Sequence, residues 1–422
     1  MNNEFINYKN FSYVRINKNI SDHFKEDGHF RLPSNIFLNK FFLFFFLKIF
    51  RKIFIIFTIF TNSTIIFKDP EKKYNVLFDN DLINITKNLF TQKNYFVLNS
   101  RIESINKIYL SKKIINFILI NFFKRSIKIN YLISLINVIN PKNVVTLTDN
   151  SIDFFYLNKY FVKSGINFFC IQNSHKYFKG SSEINKKRFI SNYLVFGDFE
   201  KKIYKNTNVK KFIPVGSLKA EIAKKFLFNN KINLNKKYDI CLIADPNISA
   251  FQDIKSQSNA DDGVALVTKY CLKFSKKFNK SIVISGKSDL KDKSRYLEKK
   301  YYEYILNGKK IKIQFNKKTT FGSYKNILQS NVTICCMSSL AREAFALKRK
   351  VLWCQYVEGT KFPSSGICVI NNKSYKVFEE HLLKILKLNF KSYLRRINNI
   401  KSSYYNKFNV VTYMQKKTNN YL

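Results

Sequence analysis

The feature that most constrains this chain is a succession of short apolar runs, each followed at once by polar residues and separated by helix-length segments. YNVLF (74–78), YFVLN (95–99), VVTLT (144–148), NFFCIQ (167–172), YLVFG (193–197) and FIPVGS (212–217) form a first series. The runs are apolar throughout instead of alternating, as expected of strands covered on both faces, and strands alternating with helices predict a parallel sheet. Asp79, Asn80 and Asp81 read as the N-cap of a segment reaching about Thr91. Two basic amphipathic helices are expected around 103–123 and 126–139.

A second series begins at YDICLIADP (238–246) and continues through SIVISG (281–286), KIKIQF (310–315), NVTICC (331–336) and KVLWC (350–354). Helices are expected near 261–278, 291–306, 322–330 and 340–347, with an amphipathic helical tail over 375–400. The predicted fold class is therefore α/β: two Rossmann-like domains facing a cleft, with a helical C-terminal tail. The boundaries are a basic, aromatic-rich segment at 1–70, a first domain at 71–227, a second at 228–374, and the tail at 375–422. FNNKINLNKK (228–237) reads as the linker.

The chain has 422 residues, enough for two or three domains. It carries 74 Lys and Arg against 28 Asp and Glu, a formal net charge of +46. That balance favours anionic partners. The basic residues run along the whole chain and no zinc-finger, RRM or zipper pattern accompanies them, so no specific nucleic-acid partner is expected. An acidic membrane surface on the cytoplasmic side remains an open partner. Seven cysteines sit mostly inside apolar runs, without a Cys-x-x-Cys, and read as buried small hydrophobes in a reducing compartment. No metal site is expected. The N-terminus lacks the apolar core of a signal peptide. The basic, aromatic segment 37–67 reads either as an interfacial membrane element or as a helix and strand packed on the first domain.

Ligands of open parallel sheets bind outside the carboxyl ends of the strands, which directs attention to the residues after each apolar run. The stretch CCMSSLAREAFALKRKVLWC (335–354) is the most informative. Ser338 and Ser339 form the turn after a strand, and Ser339 is a suitable N-cap for the helix that follows. Glu343 lies four residues on, where a capping box, which needs Glu or Gln at the position of Arg342, does not explain it. Free amides and the positive helix end suit a diphosphate, and the Glu343 carboxylate suits two neighbouring ribose hydroxyls. An ordinary helix cap with a dipole-favoured Glu is the alternative.

This stretch resembles the nucleotide-binding segment of GT-B-type glycosyltransferases and of the non-hydrolysing UDP-N-acetylglucosamine 2-epimerases. VVTLTDNSIDFFYL (144–157), FFCIQNSHKY (168–177), YLVFGDFEKKIY (193–204), FIPVGSLKAE (212–221) and YDICLIAD (238–245) are similar to a family of bacterial surface carbohydrate biosynthesis proteins, over about 74–396. Where that family has Gln-Asn-Gly, this chain has Gln172, Asn173 and Ser174, and Ser resists backbone angles that Gly permits.

The resemblance implies a metal-independent glycosyltransferase for surface polysaccharide; a cytoplasmic location is expected, with attachment to the membrane's inner face left open by segment 37–67. It would use a nucleotide sugar as substrate, a saccharide or lipid-linked acceptor, and no cofactor. Ser338, Ser339, Arg342 and Glu343 would hold the donor, with Lys287 neutralising phosphate and the amides of Gly216 and Ser217 touching it. Asp149 and Asn150 would face the acceptor, as would Gln172 and Asn173, with His175 as base and Asp149 as a second catalytic group. Helix capping is the alternative for Asp149 and Asn150, and a solvent-facing loop residue for His175. Asp245 and the loop 246–262 would line the cleft. A sugar-nucleotide epimerase, a polyol-phosphate transferase, a non-catalytic basic membrane- or nucleic-acid-binding protein, and an enzyme that has lost its chemistry remain open.

Overall fold

The computed structural model describes residues 63–419, except 80–84, 86, 91–93, 102–103, 176–187, 206, 244–258, 288–293, 307–312, 316–320, 358 and 405–409. The expectations for 37–62, for Asn80 and Asp81, for Asp245 and for most of the loop 246–262 lie outside the described residues. Residues 65–422 form one compact unit that contains both main sheets.

The first sheet joins β1 (Asn75–Phe78), β2 (Tyr95–Leu98), β3 (Asn143–Thr146), β4 (Asn167–Ile171), β5 (Phe189–Val195) and β6 (Asn208–Pro214) in the order β2-β1-β3-β4-β5-β6. Every pairing is parallel, with Val76 opposite both Phe96 and Val144. The second joins β7 (Tyr238–Ile243), β8 (Ile282–Ser285), β9 (Ile313–Gln314), β10 (Ser330–Cys335), β11 (Lys350–Cys354) and β12 (Val369–Ile370) in the order β9-β8-β7-β10-β11-β12, again all parallel. Two Rossmann-like halves are thus present. The second has the strand order that reverses between its first and fourth strands, β7 and β10.

Thirteen described helices accompany these strands: α1 (Lys112–Ile120), α2 (Ile127–Ile139), α3 (Ile152–Tyr160), α4 (Phe199–Ile203), α5 (Leu218–Asn229), α6 (Asn259–Lys277), α7 (Ser294–Leu306), α8 (Gly322–Leu328), α9 (Leu340–Ala346), α10 (Tyr375–Lys387), α11 (Phe390–Leu394), α12 (Ile400–Ser403) and α13 (Val410–Asn419). Serine caps four of them through its side chain. Ser111, Ser126, Ser151 and Ser217 each accept, through Oγ, the amide three residues on, worth about 1 kcal/mol per cap.

Ser111 explains why the helix expected from 103 begins only at Lys112, after the short strand Lys107–Tyr109. Asp79, just after β1, is buried. Its carboxylate accepts from the Ser100 amide (2.7 Å) and hydroxyl (2.8 Å), tying the end of β1 to the end of β2. The expected tail helix breaks at Leu388–Asn389, where Asn389 caps α11.

Side-chain parity along the first sheet divides its core in two. Val76, Phe78, Val144 and Phe168 point to a cluster covered by α1, α2 and α3. Their neighbours Leu77, Val145 and Phe169 point the other way, to Leu218 of α5 and to Val410 and Met414 of α13. The C-terminal chain therefore serves both halves. Phe378, Leu382 and Ile385 of α10 enter the core of the second sheet, whereas α13 returns to the first. Glu221 accepts the Val411 amide at 3.2 Å and fixes that return. No described helix is long and apolar enough to cross a membrane.

Met414 is fully buried in the first-sheet core. Met414→Ala is expected to cost about 2–5 kcal/mol, read as a lower urea midpoint at unchanged slope. A midpoint equal to that of the parent chain would mean that α13 does not complete this core.

Candidate functional site

The carboxyl ends of β4, β5 and β6 meet the start of α9 at a buried polar knot. At its centre is Arg342, fully buried in the first turn of α9. Glu200 of α4, also buried, accepts from Arg342 Nη1 at 2.5 Å and Nη2 at 3.0 Å. Nε donates to the Ser403 carbonyl (2.7 Å) and Nη2 also to the Ser402 carbonyl (3.2 Å). The remaining Nη1 hydrogen faces His175 Nδ1 at 3.3 Å. All five guanidinium hydrogens thus have acceptors, and the group lies 5.1 Å from the centre of the Phe196 ring.

His175 is fixed by the same contacts. A guanidinium can only donate, so Nδ1 is the acceptor and Nε2 carries the proton, directed at the Lys361 carbonyl 3.2 Å away. The ring stacks on Phe199 and meets Trp353 edge-on. Burial, with the Arg342 charge beside it, pulls the imidazole pKa down to about 3. His175 is therefore neutral at physiological pH and its lone pair is engaged. That corrects the expectation of an open general base.

Arg342 is likewise corrected. Its charge is matched by Glu200, with no donor left for a sugar-nucleotide phosphate. Gln172 is 2% exposed and orients Glu200, donating to Oε1 at 2.8 Å and to the Ser174 carbonyl at 3.0 Å while accepting the Phe196 amide. It does not face an acceptor.

Glu343 is 1% exposed. One carboxylate oxygen accepts from Ser217 Oγ at 2.6 Å and the other from Tyr324 OH at 2.9 Å. Ser217 is the N-cap of α5, so this bond joins the helix after β6 to the helix after β10. The expected open, cleft-facing carboxylate is here held between the two halves. The α9 amides are also occupied: Leu340 N bonds Ser338 Oγ, Ala341 N the Ser338 carbonyl, and Arg342 and Glu343 N the Ser339 carbonyl. Ser339 makes no side-chain cap, because it already has helical backbone angles. The expected grip of these amides on a diphosphate is therefore not present in this arrangement.

The Gly216 amide donates to the Val195 carbonyl at 3.2 Å and is not directed at a ligand. The residue is glycine for two other reasons: its φ is +88°, and a Cβ would lie 2.7 Å from the Tyr404 ring. Gly197 serves the same strap. A Cβ there would lie 2.5 Å from the carbonyl oxygens of Lys401 and Ser402. The segment 401–404 thus lies across the carboxyl edge of the first sheet, over the ends of β5 and β6.

Asp149 lies beyond β3 and is 1% exposed. Its carboxylate accepts from Tyr193 OH (3.1 Å) and the Asn173 amide (3.4 Å), and its carbonyl from Arg188 (3.2 Å). It acts as a buried acceptor joining β3, β4 and β5, not as an open catalytic acid. Asn150 is exposed beside it. Lys287 is exposed after β8, two strands from β10, and its amide donates to Glu298. The structure therefore brings together His175, Arg342, Gln172, Ser217 and Glu343, and leaves Lys287 and Asn150 outside the knot. Glu200 and Tyr324 complete it and were not singled out from sequence. A buried Arg demands an acid, but nothing in YLVFGDFEKKIY marks which one. The seven cysteines are all buried, and none forms a disulfide.

No protein-family model matches the chain, and a search of curated proteins finds no match. Among solved structures it is similar to a UDP-GlcNAc 2-epimerase from Neisseria meningitidis bound to UDP-GlcNAc: TM-score 0.45, 11% identity, 81% of this chain and 98% of that one. It is similar to the S. aureus MnaA-UDP co-structure, with TM-score 0.48, 11% identity and coverage of 81% and 94%. Anabaena Alr3699/HepE in complex with UDP and glucose gives TM-score 0.46, 9% identity and coverage of 83% and 100%. All three scores lie below 0.5, and strand order and register define the fold.

Glu200→Gln leaves Arg342 buried without its counter-charge and is expected to cost about 3–5 kcal/mol in urea unfolding. Adding Arg342→Met should recover part of that loss, and a double variant as unstable as the sum of both singles would deny the pairing. The folded His175 pKa is depressed, so the unfolded chain takes up the proton first, below its ordinary value of 6.5. Stability present at pH 7 is therefore lost as pH falls through 6.5 toward 3. Between pH 7 and pH 5 the parent should lose about 2 kcal/mol more than His175→Asn. Equal pH profiles would contradict the buried neutral ring.

Proposed function

We propose that this chain is a glycosyltransferase-like enzyme that binds a nucleotide-activated sugar, of the kind used to assemble surface polysaccharide. The observation that carries this reading is the position of Ser338, Ser339 and Glu343. They follow β10, at the point where the strand order of the second sheet reverses, and such crevices are where open α/β sheets take nucleotides. Glu343 already accepts two hydroxyls, one on each oxygen. Two ribose hydroxyls in place of those of Ser217 and Tyr324 would leave Glu343 accepting the same number of hydrogen bonds.

Lys287, exposed on the same carboxyl edge, is assigned to the diphosphate, whose charge grows as the sugar departs. Asn150 is assigned to the acceptor side. Transfer would proceed by displacement at the anomeric carbon, on a saccharide or lipid-linked acceptor.

The closure of the knot favours a second reading, a chain that keeps the architecture without the chemistry. Melting in the presence of UDP-, CDP- and GDP-linked sugars separates the two. A bound nucleotide at about 100 times its Kd adds about 2.7 kcal/mol and should raise Tm by a few degrees. Glu343→Gln, compared with its own ligand-free melt, should lose most of that rise. No shift with any nucleotide selects the second reading, and an undiminished shift in Glu343→Gln removes Glu343 from the ribose.

A further inference from the structure

The turn between α1 and α2 carries an apolar surface that the rest of the fold does not use. Leu119 is 64% exposed, Ile120 74%, Phe123 98% and Ile127 56%, with Phe122 at 46% packed edge-on against Phe123. Leaving this much apolar area in water is unfavourable for an isolated soluble surface. The turn is nonetheless firmly held. Asn130 donates to the Asn121 carbonyl at 2.7 Å, and Arg125 bonds Tyr156 OH at 3.0 Å and lies over the Tyr160 ring. The side chains therefore protrude from a braced scaffold.

The surroundings are basic. Lys124, Arg125 and Lys128 lie in the turn and at the head of α2, and no acid occurs from 107 to 148. Asp149 is buried, and Asp153 is paired with Lys128 at 2.8 Å, leaving Lys124 and Lys159 exposed around the patch.

We propose that this turn is a docking surface for an anionic lipid bilayer: the apolar side chains enter the interface and the lysines around them meet acidic headgroups. Phe122 and Phe123 offer rings on which a base could stack, but they meet edge-on and the aliphatic side chains at 119, 120 and 127 offer none, which favours lipid over single-stranded RNA. A second copy of the chain would bring two lysine-ringed surfaces together. The orientation also follows. Lys128 at the head of α2 pairs with Asp153 at the head of α3, the helix after β3, so the turn lies at the carboxyl edge of the first sheet. Docking would hold that edge toward the bilayer. This inference stands independently of the nucleotide-sugar reading.

The test is cosedimentation of the full chain with phosphatidylcholine vesicles, with and without phosphatidylglycerol, at about 0.15 M salt. The parent should bind the anionic vesicles and bind neutral ones weakly. Phe122→Ser with Phe123→Ser should weaken binding about tenfold or more, and so should Lys124→Glu with Lys159→Glu, with Tm unchanged because these side chains are exposed. Failure of the parent to bind anionic vesicles overturns the proposal. So does undiminished binding by both variant pairs, which would put any attachment elsewhere, including residues 37–62. Loss of RNA binding in the variants with vesicle binding intact overturns it in favour of nucleic acid.

Discussion

A single guanidinium joins four separate parts of this chain. Arg342 reaches from the second half to Glu200 on α4, to His175 after β4, and to the carbonyls of residues 402 and 403. Taking a charge out of water costs several kcal/mol unless every donor is matched, and here every donor is. Lysine could not substitute, because a point charge with three donors cannot fill a planar five-donor arrangement. The position of α9 against the first half, and hence of Glu343, depends on this contact.

The same contact accounts for the tightness of the strand ends. The segment 401–404 passes close enough over β5 and β6 to require glycine at 197 and 216. Its carbonyls then become acceptors for Arg342, and the Asp198 amide bonds the Lys401 carbonyl at 3.0 Å. Glu343, Ser217 and Tyr324 close the neighbouring gap. A ligand entering at the reversal point of the second sheet meets a carboxylate that is already oriented and must compete with two hydroxyls for it.

The strands were legible because parallel sheets buried on both faces leave uninterrupted apolar runs, and both series emerge close to where the sequence placed them. Helix starts were legible where a serine caps them. The roles of site residues were much less so. His175, Arg342 and Glu343 do converge, but whether a polar group serves a ligand or a neighbour depends on partners more than a hundred positions away. Ser217 with Glu343, and Glu200 with Arg342, are such pairs. Spacing along the chain carries no information about those pairings. The helix–strand rhythm also hid the last turn of the story, the return of α13 to the first half.

That return has a consequence for how the molecule is made. One face of the first sheet is completed by Val410 and Met414, residues made after the whole of the second sheet. Domains ordinarily fold in the order in which they are synthesised. Here the earliest strands must wait, with Leu77, Val145 and Phe169 incompletely covered, until the second half has been made as well.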